Sequence, residues 1–239
     1  MKPLFTLLLL AASLPGAAQR IVDVNSNDHN IGNFFQVVGG EPVSNTKFVK
    51  LVEGSPFFER EWIKSTLISM QGGVYENIPV KLNLLEGRVH YLDRNDVEMI
   101  ANTAIREVVF SHPSNGKHYR FINGSVLPES MKGWYLLLHN DSATLMKSFE
   151  KSIMESQPYG SATTEQKIRT TPKYFLLYNN QMQAFKNIKE LQEVLIAHRG
   201  KLHDLIQKQN TKVHLDDRLV EIVAYYNTLI KEKPERKTH

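Results

Sequence analysis

Nine histidines in a chain of 239 residues that has no cysteine make imidazole the obvious candidate for metal chemistry. A helical zinc site of the His-Glu-x-x-His kind needs two imidazoles four residues apart, and that motif is absent. His198 and His203 are five apart, which turns them to different faces of one helix. His214-Leu215-Asp216-Asp217 offers an imidazole beside carboxylates, but the same run reads equally well as the entry to a helix. The expectation is no metal site and no cofactor. Nucleophilic chemistry fares no better. Without cysteine there is no thiolate, and the Gly-Ser pairs at Gly124-Ser125 and Gly160-Ser161 lack the Gly-x-Ser-x-Gly spacing of a strand-to-helix elbow. The 13 glycines follow neither phosphate-loop nor dinucleotide-binding spacing. Carboxylates that pair in space could hydrolyse a glycosidic bond, and Glu61, Glu76, Asp93, Asp96 and Glu98 lie near expected strands or turns. Such residues are more often solvated strand ends, so no catalytic residue is assigned.

The polar run Pro158-Tyr159-Gly160-Ser161-Ala162-Thr163-Thr164-Glu165-Gln166 is the best place for recognition of a ligand or partner. Tyr159, Ser161, Thr163, Thr164 and Glu165 supply a ring, three hydroxyls and a carboxylate. The bland alternative is local ordering, because Thr163-x-x-Gln166 matches a capping box. Trp62, Tyr75, Tyr91, Tyr119, Phe121, Trp134 and Tyr135 all fall in expected strands. They would line an apolar ligand cavity or, more commonly, fill the core.

The elements that position these groups are β-rich first and helical later. Val74, Ile78, Val80, Leu82 and Leu84 recur at every second position, so period two fits and period 3.6 does not. Pro79 in that run predicts an edge or a bulge. Strands are expected at 62–68, 89–92, 97–100, 105–110, 119–122, 134–139, 144–149 and 173–178, with turns at Gln71-Gly72-Gly73, Glu86-Gly87-Arg88 and Asn179-Asn180. Ile188, Leu191, Leu195, His198, Leu202 and Leu205 step by three and four, and Gly200 favours two helices over one. Leu215, Leu219, Ile222, Val223, Tyr226 and Ile230 repeat the pattern. The fold class is therefore α+β: a curled antiparallel β-meander, barrel- or sandwich-like, followed by C-terminal amphipathic helices. Its divisions are a lead-in over 19–60, a β-rich body over 61–182 with a polar loop at 151–172, a helical part over 183–232 and a tail over 233–239.

The first residues, Met1-Lys2-Pro3 and then an apolar stretch from Leu4 to Leu14, end in Pro15-Gly16-Ala17-Ala18. A positive start, a short apolar stretch and small residues before Gln19 read as a signal peptide over 1–18. The stretch is about half of the roughly 20 residues that a spanning helix needs. No later segment is long enough, so no transmembrane segment is expected after cleavage. Loss of Lys2 leaves 28 Lys and Arg against 25 Asp and Glu, a net charge of +3 without a concentrated basic patch. Together with export, that argues against a nucleic-acid partner.

Glu53-Gly54-Ser55-Pro56-Phe57-Phe58 before Trp62, Val80-Lys81-Leu82-Asn83-Leu84-Leu85, Arg106-Glu107-Val108-Val109, the Pro158 run and Tyr225-Tyr226-Asn227 carry a resemblance together. The chain resembles a group of secreted Bacteroidetes-type proteins that have no assigned function, over nearly all of its mature length. The resemblance implies export and assigns no residue a role. The functional expectation is an exported envelope or periplasmic protein, secreted or envelope-associated. It would be a non-enzymatic binding or interaction module whose partner is an envelope protein or a small ligand. The alternative is a hydrolase acting on an envelope polymer through carboxylates at strand ends.

Overall fold

The computed structural model describes residues 21–23, 38–42, 49–111, 116–195 and 199–231. The expected signal peptide, the tail over 233–239 and His198 lie outside the described residues. The strands are β1 (Ile21–Asp23), β2 (Gly40–Pro42), β3 (Val49–Glu53), β4 (Ile63–Ser69), β5 (Val74–Asn83), β6 (Arg88–Leu92), β7 (Glu98–Ala101), β8 (Ile105–Ser111), β9 (His118–Asn123), β10 (Trp134–His139), β11 (Thr144–Ser156), β12 (Thr164–Tyr178) and β13 (Gln181–Phe185). Helices α1 (Ile188–Val194), α2 (Arg199–Lys208) and α3 (Leu215–Lys231) follow, so the fold is α+β with a β-rich sheet.

Along one path the strands pair in the order β13-β12-β11-β10-β9-β8-β4-β5-β6-β7-β2. Two meanders, β4 to β7 and β8 to β13, are thus joined where β4 pairs with β8. The sheet is open and mixed, because β1 runs parallel to β5 and β3 parallel to β12. These two pairings give the lead-in more order than its polar composition suggests.

The sheet is nonetheless strongly curled. The indole of Trp134 in β10 donates to the carbonyl of Gly87 at the β5–β6 turn over 3.0 Å. Those two points are four to five strands apart, and a flat sheet would separate them by roughly 20 Å. Inside the curl Leu67, Ile78, Val80, Leu82, Tyr91, Val108, Phe110 and Phe121 form one core. A second core lies under the helices, where Leu145, Tyr174, Leu176 and Phe185 meet Leu191, Leu202, Leu219, Ile222, Val223 and Tyr226. A smaller cluster, Leu127, Tyr135, Met146 and Phe175, packs on the reverse face.

Local chemistry sets the details. Asn179 and Asn180 both take positive φ, 50° and 61°, the left-handed pair that a two-residue hairpin needs. The β4–β5 register shifts between Ser65 and Leu67, opposite Asn77 with its φ of 59°, and β6 joins β5 only from Val80 onward. Pro79 sits between these two features, as expected for a residue that cannot donate to a ladder. Asn187 and Glu190 cap α1 reciprocally: the Glu190 N–H donates to the Asn187 side chain, and the Lys186 N–H donates to the Glu190 carboxylate. The run from Ile188 does form two helices, as expected, although Gly200 itself falls inside α2 and not between them.

The expected polar loop at 151–172 is corrected. Thirteen consecutive residue pairs, from Thr144↔Leu177 to Ser156↔Glu165, join β11 and β12 into a long hairpin. Only 157–163 form its turn. The apolar alternation that would have announced these strands is weak because much of the hairpin is exposed on both faces.

Candidate functional site

The hairpin is an arm whose root belongs to the body and whose outer half does not. Strand β10 pairs with β11 only from Leu145 to Ser148. Beyond that point, among the described residues, no strand lies on this side of β11, so 149–156 form an open edge. On the other side of the hairpin β3 pairs with Thr164 to Lys167. Ile153 is 43% exposed and Met154 51%, and Leu51 and Val52 of β3 are exposed too. Large apolar side chains clustered on a projecting arm are a different matter from single ones scattered over a surface.

The five recognition residues expected from sequence do come together, at the tip of this arm. Gly160 takes a φ of 77°. The Ser161 hydroxyl accepts from the Thr163 N–H at 3.0 Å and donates to the Thr163 carbonyl at 3.2 Å, so the turn consumes it. The Ser161 N–H donates to the Pro158 carbonyl, and the Gln157 amide donates to the Ser161 carbonyl. Thr164 and Glu165 open β12, with Glu165 opposite Ser156. Tyr159 alone presents its entire side chain to solvent. The capping-box reading of Thr163 and Gln166 is corrected: no helix starts here, and the Gln166 side chain donates to Glu155 across the hairpin at 2.7 Å.

A strap over 54–58 ties the arm to the body. Gly54 takes a φ of 84°, and a Cβ there would lie 2.1 Å from the Ile168 carbonyl oxygen, so only glycine fits. The Phe58 N–H donates to the Leu82 carbonyl and the Leu84 N–H to the Pro56 carbonyl, both at 2.9 Å. Phe58 then plugs the end of the curl against Phe110, Tyr119, Phe121 and Phe149. The Lys151 ammonium donates to the Phe57 carbonyl at 3.3 Å and to the Thr170 hydroxyl at 3.0 Å. Among the described residues no carboxylate compensates it, and partial burial lowers its pKa from the ordinary lysine value.

Beside the open edge lies a cleft of about 880 Å³. Ser148, Glu150 and Ser152 contribute to it from alternate positions of β11, with Lys173 directly across from Ser148. Leu84 and Gly87 wall it from the β5–β6 turn, and Met131 and Lys132 from the loop before β10. Lys173 is ion-paired with Glu150. Glu150 and Lys173 thus satisfy each other within the cleft, whose lining also includes Phe149, Phe175 and the largely buried Trp134 and Tyr135. The strand aromatics as a set serve the core more than any cavity.

Other polar groups hold the helices to the sheet. The Lys147 ammonium donates to both oxygens of Asp216, at 3.0 and 2.7 Å, and the Tyr174 hydroxyl donates to the same carboxylate at 2.6 Å. Burial, and then the hydrogen bond to Asp216, push the Tyr174 pKa far above the ordinary tyrosine value. Asn227, fully buried, accepts from the Ala143 N–H at 2.7 Å and donates to the Ala143 carbonyl at 2.9 Å. Sequence reasoning missed this set; the signal available was a lysine inside the apolar run Leu145-Met146-Lys147.

Three of the groups weighed for chemistry have local structural partners. His214 accepts from the Asp216 N–H at the start of α3. Asp93 orders the β6–β7 turn by accepting from the N–H groups of Asn95 and Val97. Glu98 pairs with the buried His90 at 2.7 Å, while Phe57 meets the imidazole edge-on. Among the described residues no group of three or more His, Asp or Glu side chains is placed to hold a metal ion. No described helix is long and apolar enough to cross a membrane. No family model matches the chain. Neither a curated protein nor a solved structure matches it significantly.

Proposed function

We propose that the mature chain is an exported envelope or periplasmic interaction module that acts by pairing an extended strand with its arm, without catalysing a reaction. One observation carries the reading: β11 continues through 149–156 beyond its pairing with β10, and among the described residues no strand takes up its backbone donors and acceptors beside exposed Ile153 and Met154. Such an edge is a template for strand addition, in which main-chain hydrogen bonds supply affinity and alternate side chains supply selectivity. Natural sheets blunt long edges with proline, bulges, cover or charged side chains; between Phe149 and Ser156 the β11–β12 register runs without a break or a proline in β11, and the charges are Glu150, Lys151 and Glu155. The signal-peptide pattern and the resemblance to secreted proteins support export.

The test is selection of peptides from a random display library on the mature protein, followed by hydrogen exchange of the complex. Bound peptides should slow exchange at alternate amides within 149–156. Selected binders that protect only the helices or the β4–β7 face would overturn the reading, as would a library that yields none.

A further inference from the structure

We infer that the strand added to the arm is the same arm of a second copy, paired antiparallel about a twofold axis at Ile153. The inference rests on the strand-addition reading and goes further by naming the partner and the register. It starts from the geometry of antiparallel pairing. Backbone groups on a strand edge point outward at every second residue, and outward-pointing residues must face outward-pointing ones. Two identical strands related by a twofold axis meet this condition only when the axis passes through a residue position. An axis between two residues would set odd positions against even ones.

The sequence Phe149-Glu150-Lys151-Ser152-Ile153-Met154-Glu155-Ser156 then distinguishes the candidates. An axis at Lys151 sets two ammonium groups against each other. At Ser152 it sets Lys151 against Ile153, and at Met154 it sets Ile153 against Glu155. An axis at Ile153 sets Lys151 opposite Glu155 twice and Ile153 opposite its own copy. Lys151, Ile153 and Glu155 alternate along β11 and so share one face of the paired sheet. Like charges directly opposite destabilise a sheet, whereas unlike charges and β-branched pairs stabilise it. Neither group is ion-paired among the described residues: the contacts of Lys151 are a carbonyl and a hydroxyl, and that of Glu155 is the Gln166 amide. On the other face Ser152 meets Met154, so both exposed apolar residues of the edge become covered. The axis at Ile153 also places Ser156 opposite Glu150, so the added strand ends just short of Phe149, where Trp134 opens the second copy's own β10. Each tip, with its fully exposed Tyr159, is thereby directed toward the cleft where the partner's β10 begins.

The experiment is sedimentation of the mature protein over a concentration series, combined with single-cysteine variants in a chain that has no cysteine of its own. A reversible dimer is expected. Ile153→Cys should cross-link it under mild oxidation, whereas Ser152→Cys alone should not, and an equal mixture of Ser152→Cys and Met154→Cys chains should. Glu155→Lys puts a lysine opposite Lys151 twice and should weaken the dimer roughly tenfold. Lys151→Glu with Glu155→Lys swaps the charges and should restore it. Thermal melts of the same samples separate lost pairing from lost folding, and the exposed Glu155 site serves if Lys151→Glu loosens the strap. A chain that stays monomeric throughout overturns the inference, and so does a dimer that cross-links at 152 or 154 and not at 153. If the monomer still binds library peptides along 149–156, self-pairing has failed while strand addition stands.

Discussion

Replacing Asn227 with alanine is the sharpest test of how the helices are held on the sheet. Its amide is the partner of both backbone groups of Ala143, and both residues are buried. Truncation leaves one N–H and one C=O inside the protein with nothing in their place. Each such group costs about 1–3 kcal/mol, so the pair costs about 2–6 kcal/mol, toward the lower end if water enters. With a denaturant slope of about 2 kcal/mol/M, the urea midpoint should fall by at least about 1 M. The assay is equilibrium unfolding followed by far-ultraviolet circular dichroism and by the fluorescence of Trp62 and Trp134. Asn227→Asp refines the test. A carboxylate there can accept from the Ala143 N–H but repels the Ala143 carbonyl, whereas a neutral carboxylic acid can donate to it. The introduced group is therefore held protonated in the folded state, with a pKa above its unfolded value of about 3.9. Because the folded state binds the additional proton, this variant should lose stability as pH rises from about 4, opposite to the usual carboxylate trend. A loss below about 1 kcal/mol for the alanine variant would show that the clamp contributes little and refute the reasoning.

Leu219→Asp buries a carboxylate in the helix–sheet core and should abolish cooperative unfolding, whereas a helix serving only as a docking face would leave a folded monomer. Phe58→Ala removes the plug of the curl and should cost about 2–4 kcal/mol, less than a fully buried phenylalanine because Phe58 is partly exposed. Hydrogen exchange should then rise first in the strap over 54–58 and at Leu84. Tyr174→Phe tests the buried phenol: burial raises Tyr75, Tyr91, Tyr135 and Tyr226 as well, so ultraviolet titration of the variant should show one fewer tyrosine that resists ionisation, the most resistant of the set. Since the raised pKa belongs to the folded state, the stability it reports is intact below about pH 10 and is lost as pH rises beyond that.

How far the sequence could be read depended on burial. Leu191, Leu202, Leu219, Ile222, Val223 and Tyr226, chosen by helical spacing, all lie in the helix–sheet core. Ile78, Val80 and Leu82, chosen by alternation, all lie inside the curl. The outer arm escaped because periodicity in apolar residues records which face meets a core, and residues such as Glu150, Lys151 and Ser152 project from the body. Their strand character comes from the hydrogen-bond partner across the hairpin, which composition does not encode. Asp216 was legible as a helix-entry charge, but its ties to Lys147 and Tyr174 join positions 69 and 42 residues apart. The Tyr159 run was legible as a protruding segment, while the consumption of its Ser161 hydroxyl by the turn depended on backbone geometry.

The contacts that tie this fold together join residues far apart in sequence. Trp134 reaches Gly87 across 47 residues, Asn227 reaches Ala143 across 84 and Lys151 reaches Phe57 across 94. Pairings so distant in sequence incur their loop-closure entropy before they gain stability, which makes folding slow. Helix α3 is the last described element to leave the ribosome, and the second core cannot close without Leu219, Ile222 and Val223. Until then the paired β11 and β12 would carry an uncovered apolar face around Leu145 and Leu176 in addition to the open edge that the finished fold keeps. The interval before α3 docks is therefore the period of greatest exposure to misassembly. A helper that shields the hairpin during that interval should raise the yield of folded protein more than one that acts on the finished fold.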